Sequence, residues 1–397
     1  MGEILRHKNW TLIWIYLANL LLSLHYYLVI YINSSYLEQF FDKKGIALLY
    51  TASSIINILI FLETPKILKR YGNWHFVTTA VVIEFLTTLG MAFADTMFTA
   101  GWLFVLHLTL VALILFSLDV FLEQTTKEES VTGELRSVYL TLSNLALVIS
   151  PAIVGIIGNT NFSNVYILSA LITIPLFFVA YFKLHVPDAQ IDQVSMKETL
   201  KDIHRADDVR NITIAQLSLQ FFYAWMVVYM PIYLNEVIGF SWTELGPLFS
   251  IMLLPFVLFE VPIGWLSDRG YGERIFMLTG FVLMGIAIFC VPFVTTRSFV
   301  TWAIILFISR MGASFVEITT ESYFFKHVNG RNASVISLFR IMRPLSFILM
   351  PIVFMLSLNL MSFKASFFVL AIIIFLSIYF AKKVHEAKDE LQTKNPA

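Results

Sequence analysis

The 397-residue sequence has a single cysteine, Cys290, set inside an apolar run. An internal disulfide and a cysteine-built metal site are therefore excluded. Charge is also scarce. Asp, Glu, Lys and Arg make up 14% of the chain, and 27 basic residues balance 27 acidic ones. That balance gives no reason to expect a nucleic-acid partner. No G-x-x-x-x-G-K-[ST] loop, no H-x-x-x-H pair and no recognisable nucleophile–base pair occurs. The longest polar stretch, His185 to Asn211, is too short for a nucleotide-binding domain, which disfavours an ATP-driven pump. Neither an enzyme nor a cofactor or metal site is expected.

Apolar sequence is abundant instead. Hydrophobic residues reach 58% and the mean hydropathy is +0.77, values that belong to a membrane protein. The basic start, Met1 to Lys8, precedes an apolar run far longer than a signal-peptide core and without a small-residue cleavage site. An uncleaved first helix is expected there. A helix needs about 20 apolar residues to cross the hydrocarbon. Windows of that kind fall at 10–33, 46–66, 75–95, 99–122, 137–158 and 164–184, then at 212–235, 245–266, 275–295, 299–325, 334–357 and 364–381. The expected architecture is all-α, with twelve transmembrane helices in two six-helix bundles. Residues 1–186 form the first bundle, 187–210 a linker with a short surface helix, and 211–397 the second bundle with a polar tail. If the N-terminus is cytoplasmic, the outer loops carry only Lys43, Lys44, Arg297 and Lys364, and nearly all other Lys and Arg lie on the inner side. That bias predicts both termini in the cytoplasm.

The two halves repeat. Tyr26 matches Tyr223, Tyr36-Leu37 matches Tyr233-Leu234, Glu63-x-Pro65 matches Glu260-x-Pro262, Gly133 matches Gly330 and Ser137 matches Ser334, all 197 apart. Asp119 and Glu123 match Glu317 and Glu321 at 198. The stretch Glu260-x-Pro262-x-Gly264-x-x-x-Asp268-Arg269-Gly270-x-Gly272-x-Arg274 is a tight, charged, glycine-bearing hairpin between two apolar runs. It resembles the hairpin signature of the major facilitator superfamily of transporters, and the like-oriented repeats extend the resemblance over nearly the whole chain. The resemblance implies a hairpin latch made by Glu260, Gly264, Asp268, Arg269 and Gly272. The first-half copy, with Arg70 and Gly72, carries Lys69 where the family usually has an acid. Asp268 and Arg269 are then expected to carry more of the latching.

Ionisable groups inside spans are costly and point to function. Arg310, Ser314, Glu317 and Glu321 share one face of the tenth span at i, i+4, i+7 and i+11. By the family resemblance this face lines the central path. Arg340 and Arg343 lie on the eleventh span at depths similar to Glu321 and Glu317, so ion pairs between the two spans are expected, either structural or gating. Asp119 and Glu123 share a face of the fourth span, but the fifth-span positions that match the two arginines are Ser143 and Ala146. A carboxylate without an arginine can take up and release a proton, which makes Asp119 the leading proton-coupling candidate, with Glu123, Glu317 and Glu321 beside it. The alternative is that Asp119 pairs with Arg136 or a hydroxyl. His25, Glu84 and His107 are read as single polar residues. His25 and Tyr26 are set against their repeat mates Phe222 and Tyr223, with Arg310 and Ser314, as a substrate cavity suited to an amphipathic or cationic molecule. Glu84 is read as a protonated or lipid-edge carboxylate.

The fifth span, Ala146-x-x-x-Ser150-Pro151-Ala-Ile-Val-Gly155, loosely resembles the fifth-helix motif of proton-linked drug exporters. The resulting expectation is a secondary transporter that moves a small organic molecule by alternating access, with proton-coupled efflux ahead of proton- or cation-coupled metabolite uptake. A non-transporting receptor or scaffold on the same fold is the other alternative. The expected partners are a small-molecule substrate, a coupling proton or other cation, and the lipid bilayer, with the chain a monomer in a prokaryotic-type inner membrane.

Overall fold

The computed structural model describes residues 10–30, 32–125, 132–157, 162–185, 207–327 and 333–385. All long elements among them are helices. The first half contains α1 (Trp10–Ile30), α2 (Lys43–Tyr71), α3 (Asn73–Ala92), α4 (Met97–Thr125), α5 (Thr132–Ile157) and α6 (Phe162–Lys183). The second contains α7 (Asp207–Ile232), α8 (Trp242–Leu266), α9 (Glu273–Cys290), α10 (Phe299–His327), α11 (Ala333–Leu360) and α12 (Phe363–Lys382). Eleven segments, all but α5, are long and apolar enough to span a membrane. With α5 they account for the twelve expected windows. The surface helix expected in the linker lies outside the described residues, apart from 207–210, where α7 begins.

The helix ends follow from local chemistry. Asp42 accepts the Gly45 N–H at 2.8 Å and caps α2, and Ser241 with Glu244 forms a reciprocal capping box on α8. Gly72 alone joins α2 to α3, at φ 77° and ψ 152°. Gly272 joins α9 to the π-type turn Ser267–Tyr271 that ends α8, at φ 80° and ψ 159°. Side chains avoid that region, so one glycine makes the same sharp reversal in each repeat. Prolines sit within α2, α6, α7 and α8, which intramembrane helices tolerate when neighbours re-satisfy the freed carbonyls.

The chain forms two compact units. One comprises residues 1–127, 142–196 and 328–344, and the other 128–141, 197–327 and 345–397. Each unit is thus one sequence half that takes in the start of the fifth helix of the other repeat. The boundary expected at 187–210 therefore omits this exchange of short segments.

Candidate functional site

In the second unit, the start of α5 lies along the end of α8. Thr141 donates to Glu260 Oε2 at 3.2 Å. One helical turn further along α8, a Cβ on Gly264 would fall 2.6 Å from the Gly133 carbonyl and 2.7 Å from the Ser137 Cβ. A further turn on, Asp268 accepts the Glu134 N–H at 2.7 Å and the Gly133 N–H at 3.3 Å. The seam advances in steps of four residues, and Asp268 meets the open N–H groups and positive dipole end of α5. Lys326 lies 2.6 Å from Asp268 and also contacts Glu273. Arg269, expected to latch beside Asp268, is exposed and stacks on Trp265 at 4.0 Å.

This seam brings Arg136 into the second unit. Its Nε and Nη2 donate to Glu321 Oε2 at 3.1 and 2.9 Å, with both side chains almost wholly buried, and its guanidinium lies 3.7 Å from the Phe325 ring centre. In the first unit, Ser337 at the start of α11 donates to the Phe61 carbonyl, and Arg340 Nε reaches Asp119 Oδ2 at 2.6 Å. Two expectations are corrected here. Arg340 was expected opposite Glu321 and instead holds Asp119, and Asp119 was expected to lack an arginine. The physical reason is the exchanged helix starts. Each repeat supplies the arginine for a carboxylate of the other, and a comparison confined to one half misses that. Glu123 is buried, whereas Arg343 is exposed.

The α10 face does gather its expected members. Tyr223 Oη donates to Glu317 Oε2 at 2.8 Å. The Arg310 guanidinium lies 5.0 Å from the Phe222 ring centre and 5.5 Å from that of Tyr223. Ser314 turns back to the Met311 carbonyl of its own helix. Of the four interior carboxylates singled out in the sequence, Glu317 alone is half-buried. Asp119, Glu123 and Glu321 are buried.

His25 is not part of that cluster. It is fully buried in the first unit, where His25 Nε2 lies 2.9 Å from Glu84 Oε1 and His107 Nδ1 lies 2.5 Å from the same oxygen. The reading of His25, Glu84 and His107 as single residues, with His25 facing a cavity and Glu84 at the lipid edge, is therefore corrected. Their three helices pack with these positions inward. One ligand-type atom from each residue lies within 4.8 Å of the other two, the group among the described residues that could hold a metal ion.

The sequence profile of the Major Facilitator Superfamily matches residues 121–254 and 212–397. No curated protein matches the chain in sequence. Among solved structures, the human organic anion transporter MFSD10 (TETRAN) superposes with a TM-score of 0.77 at 13% identity, over 94% of this chain and 98% of that one. A bacterial homologue of the iron transporter ferroportin, in an outward-facing state, gives 0.77 at 16% identity, over 94% and 99%. The Escherichia coli fucose:proton symporter FucP gives 0.74 at 14% identity, over 95% and 98%. The helices and their repeats define a multi-pass membrane transporter fold. The chain belongs to the Major Facilitator Superfamily, a family of transporters and not of enzymes.

Proposed function

We propose that this chain is a secondary active transporter that moves a small organic molecule by alternating access, coupled to a proton carried by Glu317. The observation behind this reading is the Glu317–Tyr223–Arg310 cluster. It unites a half-buried carboxylate, a phenol that can donate to a carboxylate or accept from a carboxylic acid, and a cation stacked on aromatic faces. Such a group holds a proton or a polar part of a substrate with little rearrangement. Asp119 and Glu321, each engaged by an arginine, are assigned to ion pairs that break and re-form as the carrier changes state. The Asp268 cap on α5 is assigned to the same latch.

The Lys and Arg bias supports cytoplasmic termini. The loose fifth-helix resemblance favours export, and the fucose:proton symporter among the fold relatives supports proton drive without bearing on direction. Purified protein in vesicles that hold a pH-sensitive dye, challenged with amines, sugars, amino acids and organic anions, tests the reading. Proton movement that requires one compound class is the expected result. Silence across the whole panel from correctly folded protein would overturn proton coupling.

A further inference from the structure

The His25–Glu84–His107 group lies in the first unit and shares no residue with those assigned to transport above. Its three side chains come from α1, α3 and α4, and all have 0% exposure. Glu84 Oε1 is crowded: it faces His25 Nε2 at 2.9 Å, His107 Nδ1 at 2.5 Å and the Thr88 hydroxyl at 2.6 Å. Glu84 Oε2 and His107 Nε2, equally buried, have no hydrogen-bond partner. Buried polar atoms of this kind call for an explanation.

The outer contacts supply one. His25 Nδ1 lies 3.0 Å from the Ser169 carbonyl and 2.7 Å from the Ser169 hydroxyl, and that hydroxyl also lies 2.8 Å from the His25 carbonyl. When the hydroxyl donates to the His25 carbonyl, Nδ1–H donates to the Ser169 carbonyl and a neutral His25 turns its Nε2 lone pair towards the Glu84 carboxylate. Two acceptors at that distance repel unless a proton or a metal cation lies between them. A ring N–H on a backbone carbonyl, together with a hydroxyl on the carboxylate, is the outer arrangement that orients metal ligands.

We propose that His25, Glu84 and His107 form a resident binding site for a divalent transition-metal ion of the Zn²⁺ or Fe²⁺ class. Two imidazole nitrogens and one carboxylate are the donor set these ions take, whereas Mg²⁺ and Ca²⁺ prefer oxygen alone. The idle Glu84 Oε2 gives the carboxylate a second oxygen for the ion. Metal–ligand bonds of roughly 2.1 Å would hold tetrahedral donors about 3.4 Å apart. Each histidine nitrogen would draw back from Glu84 Oε1 by less than about 1 Å, and the two nitrogens, within 4.8 Å of one another, would settle at a similar spacing. Complete burial makes the ion a resident that ties three helices together, not the transported cargo.

The full-length chain, purified through a histidine-free tag and stripped with chelator, is titrated with Co²⁺ and followed by visible absorption. One equivalent with ligand-field bands from nitrogen ligands, displaced by Zn²⁺, is expected. Glu84→Gln and His107→Gln abolish the signal. Thr88→Ala, a smaller change chosen to preserve folding, weakens binding about tenfold by removing the hydroxyl from Glu84. Wild type that binds no Co²⁺ would overturn the site, and so would binding undiminished in folded Glu84→Gln, which would place the ion on surface histidines. A stability step on titrating one proton, removed by Glu84→Gln in a chain that binds no metal, would assign protons to the group instead. Glu317→Gln leaves Co²⁺ binding unchanged, so failure here is separable from failure of the transport reading.

Discussion

Asp119 and Glu317 occupy matching places in the two repeats, yet their surroundings have diverged. Asp119 is 2% exposed and gripped by Arg340 at 2.6 Å. Glu317 is half-buried and bonded by the Tyr223 hydroxyl at 2.8 Å. A guanidinium neutralises the charge of a carboxylate in place. A phenol can serve both its protonated and its ionised form, because it donates to one and accepts from the other. The repeat has therefore kept the position of the acid while changing its contact, a guanidinium in one unit and a phenol in the other, and the function proposed above gives the exchangeable proton to the second.

The largest effect expected on that contrast comes from the second buried pair. Glu321→Ala strands Arg136 where both side chains were at most 2% exposed, and costs about 3–5 kcal/mol of stability, read as a lowered thermal midpoint in detergent. Adding Arg136→Leu restores most of the loss if the pair is structural. Next, Gly264→Val forces a side chain onto the Gly133 carbonyl and parts α8 from α5, at a cost of about 2 kcal/mol in the same assay. Asp119→Asn costs less, about 1–2 kcal/mol, because Arg340 is 23% exposed and can turn to water. Gly72→Ala and Gly272→Ala are the smallest, about 1 kcal/mol each. Their costs should agree, since the two glycines share one backbone geometry. A clear inequality would show that the hairpins have diverged as the acids have.

Much of this was legible in the sequence. Long apolar runs fix the spans because nothing else satisfies a backbone in hydrocarbon, and the pairs 197 apart place the repeat. The hairpin glycines were legible as well. What escaped was pairing across distance. Arg136 and Glu321 are 185 residues apart, Arg340 and Asp119 are 221 apart, and helix periodicity says which residues share a face but not which faces meet. One physical signal was present for His25, Glu84 and His107: three ionisable groups in spans are each too costly to leave alone, which pointed to one another as partners. Spacings of 59 and 23 residues on separate helices gave that signal no address.

The most direct measurement sets Glu317→Gln against Asp119→Asn in the same dye-loaded vesicles, once a substrate class is in hand, with both proton movement and substrate exchange recorded. The account predicts that Glu317→Gln abolishes proton-coupled movement while exchange persists, and that folded Asp119→Asn keeps the coupling of proton to substrate although the rate of both changes with the loss of a latch contact. Coupling that survives in Glu317→Gln and disappears in Asp119→Asn would contradict it and return the proton to the fourth helix.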